Sequence, residues 1–352
     1  MRPESLSALT QAISMPLVRT SNGKSFSASG GETLLDAALR ASVTLPYSCR
    51  TGRCSSCKGQ VRTGSTIAIH DELGLSQSER DAGWILTCVR EANSDVELEV
   101  EDLGDLQLPP ARTWPCRIQA LDRVSADVVR VVLRMPPTSD FIFYPGQYVD
   151  VIGHGGLRRS YSIANAPTPD RMIELHIRQV PGGAMSQYWF EQAKLNDLLR
   201  LNGPLGTFFL RDIEGLDLVF LATGTGIAPV KAILEGLAQR GQALQPRSVS
   251  VFWGGRVPED LYWRVHADLD HKFVPVLSRA HVGWGGARGY VHQVLLMEAR
   301  EWARTAVYAC GSDAMIHSAR QQLIDAGLSD SGFHSDAFVC SAAACVNYEV
   351  ER

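Results

Sequence analysis

The sequence predicts a multidomain chain in three successive parts: an α+β segment, an antiparallel β-barrel and a doubly wound α/β domain. Its 352 residues exceed the size of one ordinary domain. Short strands separated by turns fill the middle of the chain, and strands alternate with helical stretches towards its end. Hydrophobic residues make up 45% and charged residues 20%, a composition that excludes a disordered or fibrous protein.

The first part, residues 15–104, combines strands with one helix. The pattern predicts a strand at 25–28, a helix at 32–41 and an alternating strand at 96–100. Leucines and alanines in the helix fall at the spacing of one buried face. An acidic stretch and the pair Pro109-Pro110 follow, and we interpret them as a linker.

The second and third parts differ in the kind of sheet that they predict. Residues 112–212 contain short strands at 128–133, 148–152, 160–163 and 173–180, which indicate an antiparallel barrel. Residues 215–340 alternate strands at 218–222, 249–253, 273–277 and 306–310 with helices at 228–240, 258–268 and 313–326. This alternation is typical of a doubly wound parallel sheet.

Four of the eight cysteines form one motif. Cys49, Cys54 and Cys57 are spaced C-x4-C-x2-C, and Cys88 follows after thirty intervening residues. This is the ligand spacing of a plant-type [2Fe-2S] centre. Gly52 permits the backbone bend that such a loop needs. A structural zinc site is the alternative, but zinc ligands usually come as two close pairs and Cys88 has no such neighbour.

Charge and hydropathy limit the partners of the chain. The formal charge is −4, and residues 1–105 carry ten Lys or Arg against fourteen Asp or Glu. Without a basic excess, neither nucleic acid nor an anionic membrane surface is an expected partner. No apolar run reaches membrane-spanning length and no secretory signal is visible, so we expect a cytoplasmic protein. Arg50, Arg53 and Lys58 surround the cysteine loop, either as a solvated rim or as a docking patch.

A second motif, Arg159-Ser160-Tyr161-Ser162, lies on a predicted strand. Alternation places Arg159 and Tyr161 on one face, where the guanidinium can bind a pyrophosphate and the ring can stack on an isoalloxazine. The Ser162 hydroxyl then suits a place beside the flavin N5. Residues 182–186, Gly-Gly-Ala-Met-Ser, precede a helical run and offer free N–H groups to a phosphate. Separately, each piece is equally compatible with a chance match or a plain hairpin turn.

A third motif follows the strand at 218–222. Gly224, Gly226 and Pro229 lie in a strand-to-helix turn that allows close approach of a diphosphate, although a tight turn without a ligand is the alternative. Cys310 ends another parallel strand and either contacts the nicotinamide or fills the core. Phe338 either covers a flavin face or fills the core. Ser278-Arg279 is either a 2′-phosphate site or a surface strand end.

In this order, the motifs resemble the ferredoxin reductase superfamily with an N-terminal plant-type [2Fe-2S] domain. The resemblance covers residues from about 15 to 340 and is carried by the four cysteines, residues 159–162, residues 224–229 and Cys310-Gly311. It implies a β-grasp ferredoxin domain, a Greek-key FAD barrel and an NAD(P) domain at 15–104, 112–212 and 215–340. It also implies a [2Fe-2S] cluster, FAD and NADH as cofactors, with NADPH left open.

The resemblance assigns a role to each site residue. The implied cluster ligands are Cys49, Cys54, Cys57 and Cys88. Residues implied along FAD are Arg159, Ser160, Tyr161, Ser162, His176, Ile177, Arg178, Gly183, Met185 and Ser186. Residues implied to meet the nicotinamide nucleotide are Thr223, Gly224, Thr225, Gly226, Cys310 and Gly311. Ser162, Cys310 and Phe338 would lie at the reacting groups.

The resemblance also implies a function. Such proteins pass electrons from NAD(P)H through FAD and the cluster to a separate partner enzyme. Residues 158–167, 202–209, 308–315 and 335–339 are most similar to family members that serve a CDP-sugar dehydrase. The alternatives are the reductase of an aromatic-ring dioxygenase or di-iron monooxygenase, and a redox sensor without turnover.

Overall fold

A computed structural model describes residues 15–101, 103–104, 106–240, 245–264 and 271–338. Residue contacts divide these into two compact units. Unit 1 comprises the described residues up to Leu45 and those of Arg50–Gln107, and unit 2 comprises Pro46–Cys49 and the described residues from Leu108 onward. The predicted barrel and α/β domain both fall in unit 2. Cys340, Cys345 and the end of the predicted third domain lie outside the described residues.

Unit 1 has the predicted α+β composition. Its elements are β1 (Leu17–Thr20), β2 (Ser25–Ser27), α1 (Leu34–Arg40), β3 (Lys58–Thr63), β4 (Thr66–Ala68), α2 (Gln77–Asp81), β5 (Trp84–Leu86), β6 (Arg90–Ala92) and β7 (Val96–Glu99). The main sheet has the order β2-β1-β7-β3-β5, and only the β1–β7 pair is parallel. Thr33 caps α1 by accepting a hydrogen bond from the Asp36 N–H. The helix buries Leu34, Leu35, Ala37 and Ala38.

The first half of unit 2 is the antiparallel barrel. Its elements are β8 (Arg112–Ser125), β9 (Val128–Arg134), β10 (Tyr148–Ile152), β11 (Arg158–Ser162), β12 (Met172–Arg178), α3 (Ala184–Gln187) and β13 (Leu198–Leu205). The strand order is β11-β10-β13-β8-β9-β12. A bridge between Ile163 and Leu175 joins the two edges of this sheet, which removes exposed edge strands. Alternating apolar residues, among them Val131, Val149 and Leu201, fill the interior.

The second half of unit 2 is a six-stranded parallel sheet with helices. Its elements are β14 (Asp217–Thr223), α4 (Ile227–Ala238), β15 (Ser248–Gly255), β16 (Lys272–Leu277), β17 (Ala287–Arg288), α5 (Val291–Leu296), β18 (Thr305–Ser312), α6 (Asp313–Asp325) and β19 (Phe333–Phe338). The strand order is β17-β16-β15-β14-β18-β19. The order reverses at β14, so the carboxyl ends of β14 and β18 form the crevice where such sheets bind ligands.

The helix predicted at 258–268 is wrong over the residues that the structure describes. Pro258–Asp260 forms one turn of 3-10 helix, Leu261–Arg264 is irregular, and residues 265–268 lie outside the described part. Leu261, Tyr262 and Trp263 pack against the core of the parallel sheet. These three consecutive apolar side chains all pack onto one surface. A helix would point them in different directions, so the helix does not form. Among the described residues, no helix has the length and apolar character required to cross a bilayer.

Candidate functional site

Three of the four motif cysteines lie together in unit 1. Cys54, Cys57 and Cys88 are buried, with exposed fractions of 3%, 2% and 6%. A hydrogen bond with Cys88, burial, and the nearby Cys88 and Cys54 thiols raise the pKa of the Cys57 thiol well above its usual value. The Cys57 thiol therefore does not ionise beside its neighbours unless a positive centre compensates its charge.

The loop that carries the cysteines has a strained backbone that glycine permits. Gly52 has a φ of +72°, and a Cβ there would lie 2.3 Å from the carbonyl oxygen of Asp71. The Gly74 N–H donates to the Gly52 carbonyl at 2.9 Å, and the Ser55 hydroxyl donates to the Gly74 carbonyl. Residues 71–74 thus hold the loop from outside, so its shape is fixed by the protein fold.

The donor set of this loop fits an iron–sulfur cluster better than a single metal ion. Within the described residues, no disulfide joins any of the cysteines, including those of the motif. Nowhere in the described ranges do three His, Cys, Asp or Glu side chains converge as on one ion. A [2Fe-2S] centre takes two thiolates on each iron, so it does not need such convergence. Cys49, the first cysteine of the motif, is half-buried and belongs to unit 2.

The three basic residues around the loop are not equivalent. Arg50 forms an ion pair with Asp36, and Lys58 forms one with Glu79 and lies 4.6 Å from the centre of the Trp84 ring. Arg53 is half-buried and forms no salt bridge within the described part of the chain. Of the predicted basic ring, Arg53 is therefore the residue whose charge is not offset by a neighbouring carboxylate.

The Arg-Ser-Tyr-Ser motif occupies β11, as predicted. Arg159 is exposed and, among the described residues, donates to the Arg158 carbonyl and forms no salt bridge, whereas Arg158 pairs with Asp150. The Ser160 hydroxyl donates to Asp150 at 2.6 Å. The Tyr161 hydroxyl accepts from the Trp189 indole N–H at 3.1 Å, which fixes the ring plane. The exposed Arg159 guanidinium can bind a phosphate, and the fixed Tyr161 ring can stack on a flavin. This combination fits a flavin nucleotide.

The residues of β12 implied to lie along FAD point in different directions. The His176 ring is buried between Glu174, which its Nε2 contacts at 2.9 Å, and the Tyr262 hydroxyl, 3.1 Å from its Nδ1. The Ile177 side chain lies in the barrel core, so only its backbone can face a ligand. Arg178 donates to Asp127 and its guanidinium reaches Gly224, the first glycine of the nucleotide loop.

The Gly-Gly-Ala-Met-Ser segment begins a helical stretch, as predicted. Gly183 precedes α3, and a π-helical turn, Tyr188–Gln192, follows α3. The Ser186 hydroxyl accepts from the Val180 N–H at 2.8 Å, and Met185 is buried in the barrel core. Ser186 and Met185 therefore also shape the turn, in addition to any contact with FAD.

A buried ionic network joins the barrel to the parallel sheet inside unit 2. Glu174 contacts His176 at 2.9 Å and Lys231 at 3.2 Å, and Lys231 also pairs with Glu235 at 2.7 Å. Burial opposes ionisation of Glu174, but the His176 hydrogen bond and the charges of Lys231 and Arg130 lower its pKa to about 2. Burial lowers the pKa of His176, so its neutral ring donates from Nε2 to Glu174 and accepts at Nδ1 from Tyr262.

Glu174→Gln tests this network through the pH dependence of stability. Because the folded pKa lies below the unfolded value, the carboxylate stabilises the fold above about pH 4.5, and this contribution disappears as the pH falls towards 2. We expect the variant to be less stable at pH 7 by about 3 kcal/mol and the difference to shrink on acidification. Urea midpoints from tryptophan fluorescence at several pH values measure it. The exposed Glu191→Gln is the control, and a constant difference would contradict the prediction.

The nucleotide loop lies at the carboxyl end of β14. Residues Gly224–Gly226 form a 3-10 turn that leads directly into α4. The Gly224 carbonyl accepts from the Trp253 indole at 2.9 Å. A Cβ on Gly226 would lie 2.2 Å from the Cys310 carbonyl oxygen, and one on Gly311 would lie 2.1 Å from Thr223 Oγ1. The glycines permit β14 and β18 to approach at the predicted ligand crevice, which fits a dinucleotide.

Cys310 and Ser162 meet at a buried carboxyl group that the sequence did not single out. Asp336 on β19 is 4% exposed, and its Oδ2 lies 3.4 Å from Ser162 Oγ and 3.9 Å from Cys310 Sγ. Burial raises the pKa of Asp336 to about 6, against the opposing effect of hydrogen bonds from Ser48 and Ser162. Burial and Asp336 also raise the pKa of Cys310. Phe338, two residues on, packs against the core of the parallel sheet.

Comparison with protein families divides the chain in the same order as the motifs. A 2Fe-2S iron-sulfur cluster binding domain matches residues 19–92, an oxidoreductase FAD-binding domain matches residues 115–210, and an oxidoreductase NAD-binding domain matches residues 220–321. These matches confirm the predicted classes of fold and cofactor.

Relatives match this chain over about nine-tenths of its length. The CDP-6-deoxy-L-threo-D-glycero-4-hexulose-3-dehydrase reductase of Yersinia pseudotuberculosis is 40% identical over 326 residues, 91% of this chain and 97% of the relative. Reductase component 1 of the Comamonas terephthalate 1,2-dioxygenase is 30% identical over 90% of this chain and 95% of its own length. The crystal structure of the Amycolatopsis cytochrome P450 reductase GcoB matches with a TM-score of 0.71 at 29% identity, covering 92% of this chain and 98% of that one. The chain belongs to the ferredoxin reductase family of oxidoreductases, with 2Fe-2S, FAD-binding and NAD-binding domains in that order.

Proposed function

We propose that this protein carries electrons from NADH to a separate CDP-6-deoxyhexulose 3-dehydrase. The observation that carries the proposal is the 40% identity to a reductase of that dehydrase, over 91% of this chain, against 30% to the terephthalate dioxygenase reductase at similar coverage. The shared order of 2Fe-2S, FAD and NAD domains supports electron transfer in both cases.

The proposed roles of the site residues are those that the resemblance implies. A bound flavin would accept two electrons as hydride from the nicotinamide, and it would release them one at a time to a bound cluster. Arg159 and Tyr161 hold the flavin nucleotide, and residues 223–226 with Gly311 hold the nicotinamide nucleotide. Ser162, Cys310 and Phe338 lie at the reacting rings. Cys49, Cys54, Cys57 and Cys88 ligate the cluster, and residues 15–104, 112–212 and 215–340 are the three modules.

Reconstitution with purified acceptors tests the proposed partner. We expect NADH consumption to depend on the CDP-sugar dehydrase and its substrate, with matching formation of the deoxygenated sugar. Turnover with an aromatic-ring dioxygenase instead would support the second candidate, which the 30% identity to the terephthalate dioxygenase reductase favours. Cofactor-loaded protein that reduces neither ferricyanide nor cytochrome c with NADH would instead indicate a redox sensor.

The proposed coenzyme is NADH, and the ratio of kcat/KM for NADH and NADPH measures the preference. We expect a ratio above about 10, which corresponds to about 1.4 kcal/mol in transition-state stabilisation. Arg279, exposed after β16, forms no salt bridge among the described residues and is the candidate 2′-phosphate contact. A ratio below one that Arg279→Ala reverses would contradict the NADH assignment.

Arg53→Glu tests whether the cysteine loop is the docking surface. Because Arg53 forms no salt bridge with any described residue, we expect the charge reversal to raise the KM for the partner about tenfold, an effect that weakens at high salt. NADH-dependent ferricyanide reduction should not change. The matched control is Arg62→Glu, since Arg62 on β3 is exposed and pairs with Glu99 on β7. Equal effects of the two variants would mean that total charge, and not the loop, determines docking.

A further inference from the structure

Hydrogen bonds hold the two central residues of the segment Pro46–Cys49 of unit 2. The Tyr47 N–H donates to Thr207 Oγ1 at 2.8 Å, and the Thr207 N–H donates to the Tyr47 carbonyl at 3.0 Å. The Tyr148 hydroxyl donates to the Ser48 carbonyl at 2.7 Å. Tyr47 and Ser48 are both only 4% exposed. The segment has no helix or strand of its own, so these bonds determine its position.

The Ser48 side chain makes a contact of a different kind. Its hydroxyl donates to Oδ1 of Asp336, whose other oxygen lies 3.4 Å from Ser162 Oγ and 3.9 Å from Cys310 Sγ. Asp336 therefore has one oxygen turned to the proposed flavin edge and one turned to Ser48. Ser48 is joined by a single peptide bond to Cys49, a proposed cluster ligand. A continuous path of covalent and hydrogen bonds thus runs from Ser162 through Asp336 and Ser48 to Cys49.

We propose that Ser48 is a positioning residue for electron transfer from the flavin to the cluster. The inference rests on the proposed function and concerns a step inside it. The Ser48 hydroxyl fixes the position of the Cys49 sulfur relative to Ser162 and Cys310. It also completes a bonded path between the two sites, and electron transfer through bonds is faster than transfer through empty space. The overall reaction stays balanced: one NADH yields NAD⁺, one proton and two electrons for two one-electron acceptors.

The decisive comparison uses two acceptors and the cofactor-loaded full chain. Cytochrome c takes electrons that have passed through the cluster, and ferricyanide takes them from the flavin directly. In Ser48→Ala we expect NADH-dependent cytochrome c reduction to fall about tenfold or more, as for loss of a buried hydrogen bond to a charged group. Ferricyanide reduction should stay within about twofold of the unchanged protein. Ser48→Thr, which keeps the hydroxyl, should restore cytochrome c reduction.

A spectroscopic readout separates positioning from a merely structural role. Iron, acid-labile sulfide and FAD contents, with the electron paramagnetic resonance signal after dithionite, show whether Ser48→Ala retains an intact cluster. Rapid mixing with NADH should then give normal bleaching of the flavin band but delayed appearance of the cluster signal. Loss of cluster or FAD in Ser48→Ala, or parallel slowing of both phases, would mean that Ser48 only supports the fold and would overturn the inference.

Different results would overturn the role of Ser48 and the proposed function. Normal cytochrome c reduction and cluster kinetics in Ser48→Ala, beside an active unchanged protein, would overturn the role of Ser48 alone. An unchanged, fully loaded protein whose cluster signal never appears with NADH would overturn the proposed function, and with it the inference.

Discussion

Replacing Cys57 with alanine should abolish electron delivery through the iron–sulfur centre and leave the flavin reaction intact. Cys57 is 2% exposed and hydrogen-bonds Cys88, so a solvent ligand cannot replace its sulfur in the proposed donor set without rearrangement. Substitution of a residue that hydrogen-bonds a metal ligand typically lowers metal affinity or activity about 10–100-fold. Loss of a ligand itself should therefore lower the rate of cytochrome c reduction at least about 100-fold. NADH-dependent ferricyanide reduction should persist.

The matched control for this prediction is Cys116→Ala. Cys116 is also 2% exposed, lies in the barrel core, and is outside the ligand motif. Its loss leaves a small cavity that costs about 1 kcal/mol of stability, with iron and sulfide content unchanged. Iron and sulfide analysis with the reduced-state resonance spectrum makes the comparison. An intact [2Fe-2S] signal in Cys57→Ala would refute the proposed ligand set.

Replacing Gly226 with alanine should impair the reaction with NADH, the first step of electron transfer, and leave the later steps intact. The new Cβ would lie 2.2 Å from the Cys310 carbonyl oxygen and 2.6 Å from its carbon. Both are backbone atoms of β18, so neither can rotate away. Either the nucleotide loop or the end of β18 must move, and a displacement of about 1 Å at a reacting pair costs about 100-fold in rate. We expect kcat/KM for NADH to fall at least that far.

Reduction by dithionite separates this effect from loss of the other cofactors. In Gly226→Ala the flavin and cluster should still accept electrons from dithionite, because the barrel and unit 1 are untouched. Gly285→Ala is the matched control, since a Cβ there meets nothing within 4 Å. Similar NADH kinetics in the two variants would contradict the assignment of residues 224–226 to the nucleotide.

The motifs that the sequence reveals are those whose members are close along the chain. Residues 49–57, 159–162 and 224–226 each carry their chemistry within a few residues, and the family comparison confirms the corresponding domains. The strand and helix bounds of these segments also agree with the structure, because alternation and glycine turns are local properties.

The features that the sequence does not predict depend on contacts between distant residues. The helix predicted at 258–268 is absent from its described part because Leu261, Tyr262 and Trp263 pack on a core built from other strands. Lys231 and Glu174 are 57 residues apart by number and pair only because α4 lies against β12. Spacing along the chain contains no information about either contact.

The sequence by itself determined the kinds of cofactor and the order of the modules, and it predicts the residues of each binding motif, since closely spaced glycine, cysteine and arginine residues can be recognised without a fold. Only the tertiary structure decided which groups meet around Asp336. The parallel register of β18 and β19 pairs Cys310 with Asp336, and the barrel and the Pro46–Cys49 segment bring Ser162 and Ser48 to the same carboxyl group. These four residues come from four distant parts of the chain, so long-range packing alone assembles them.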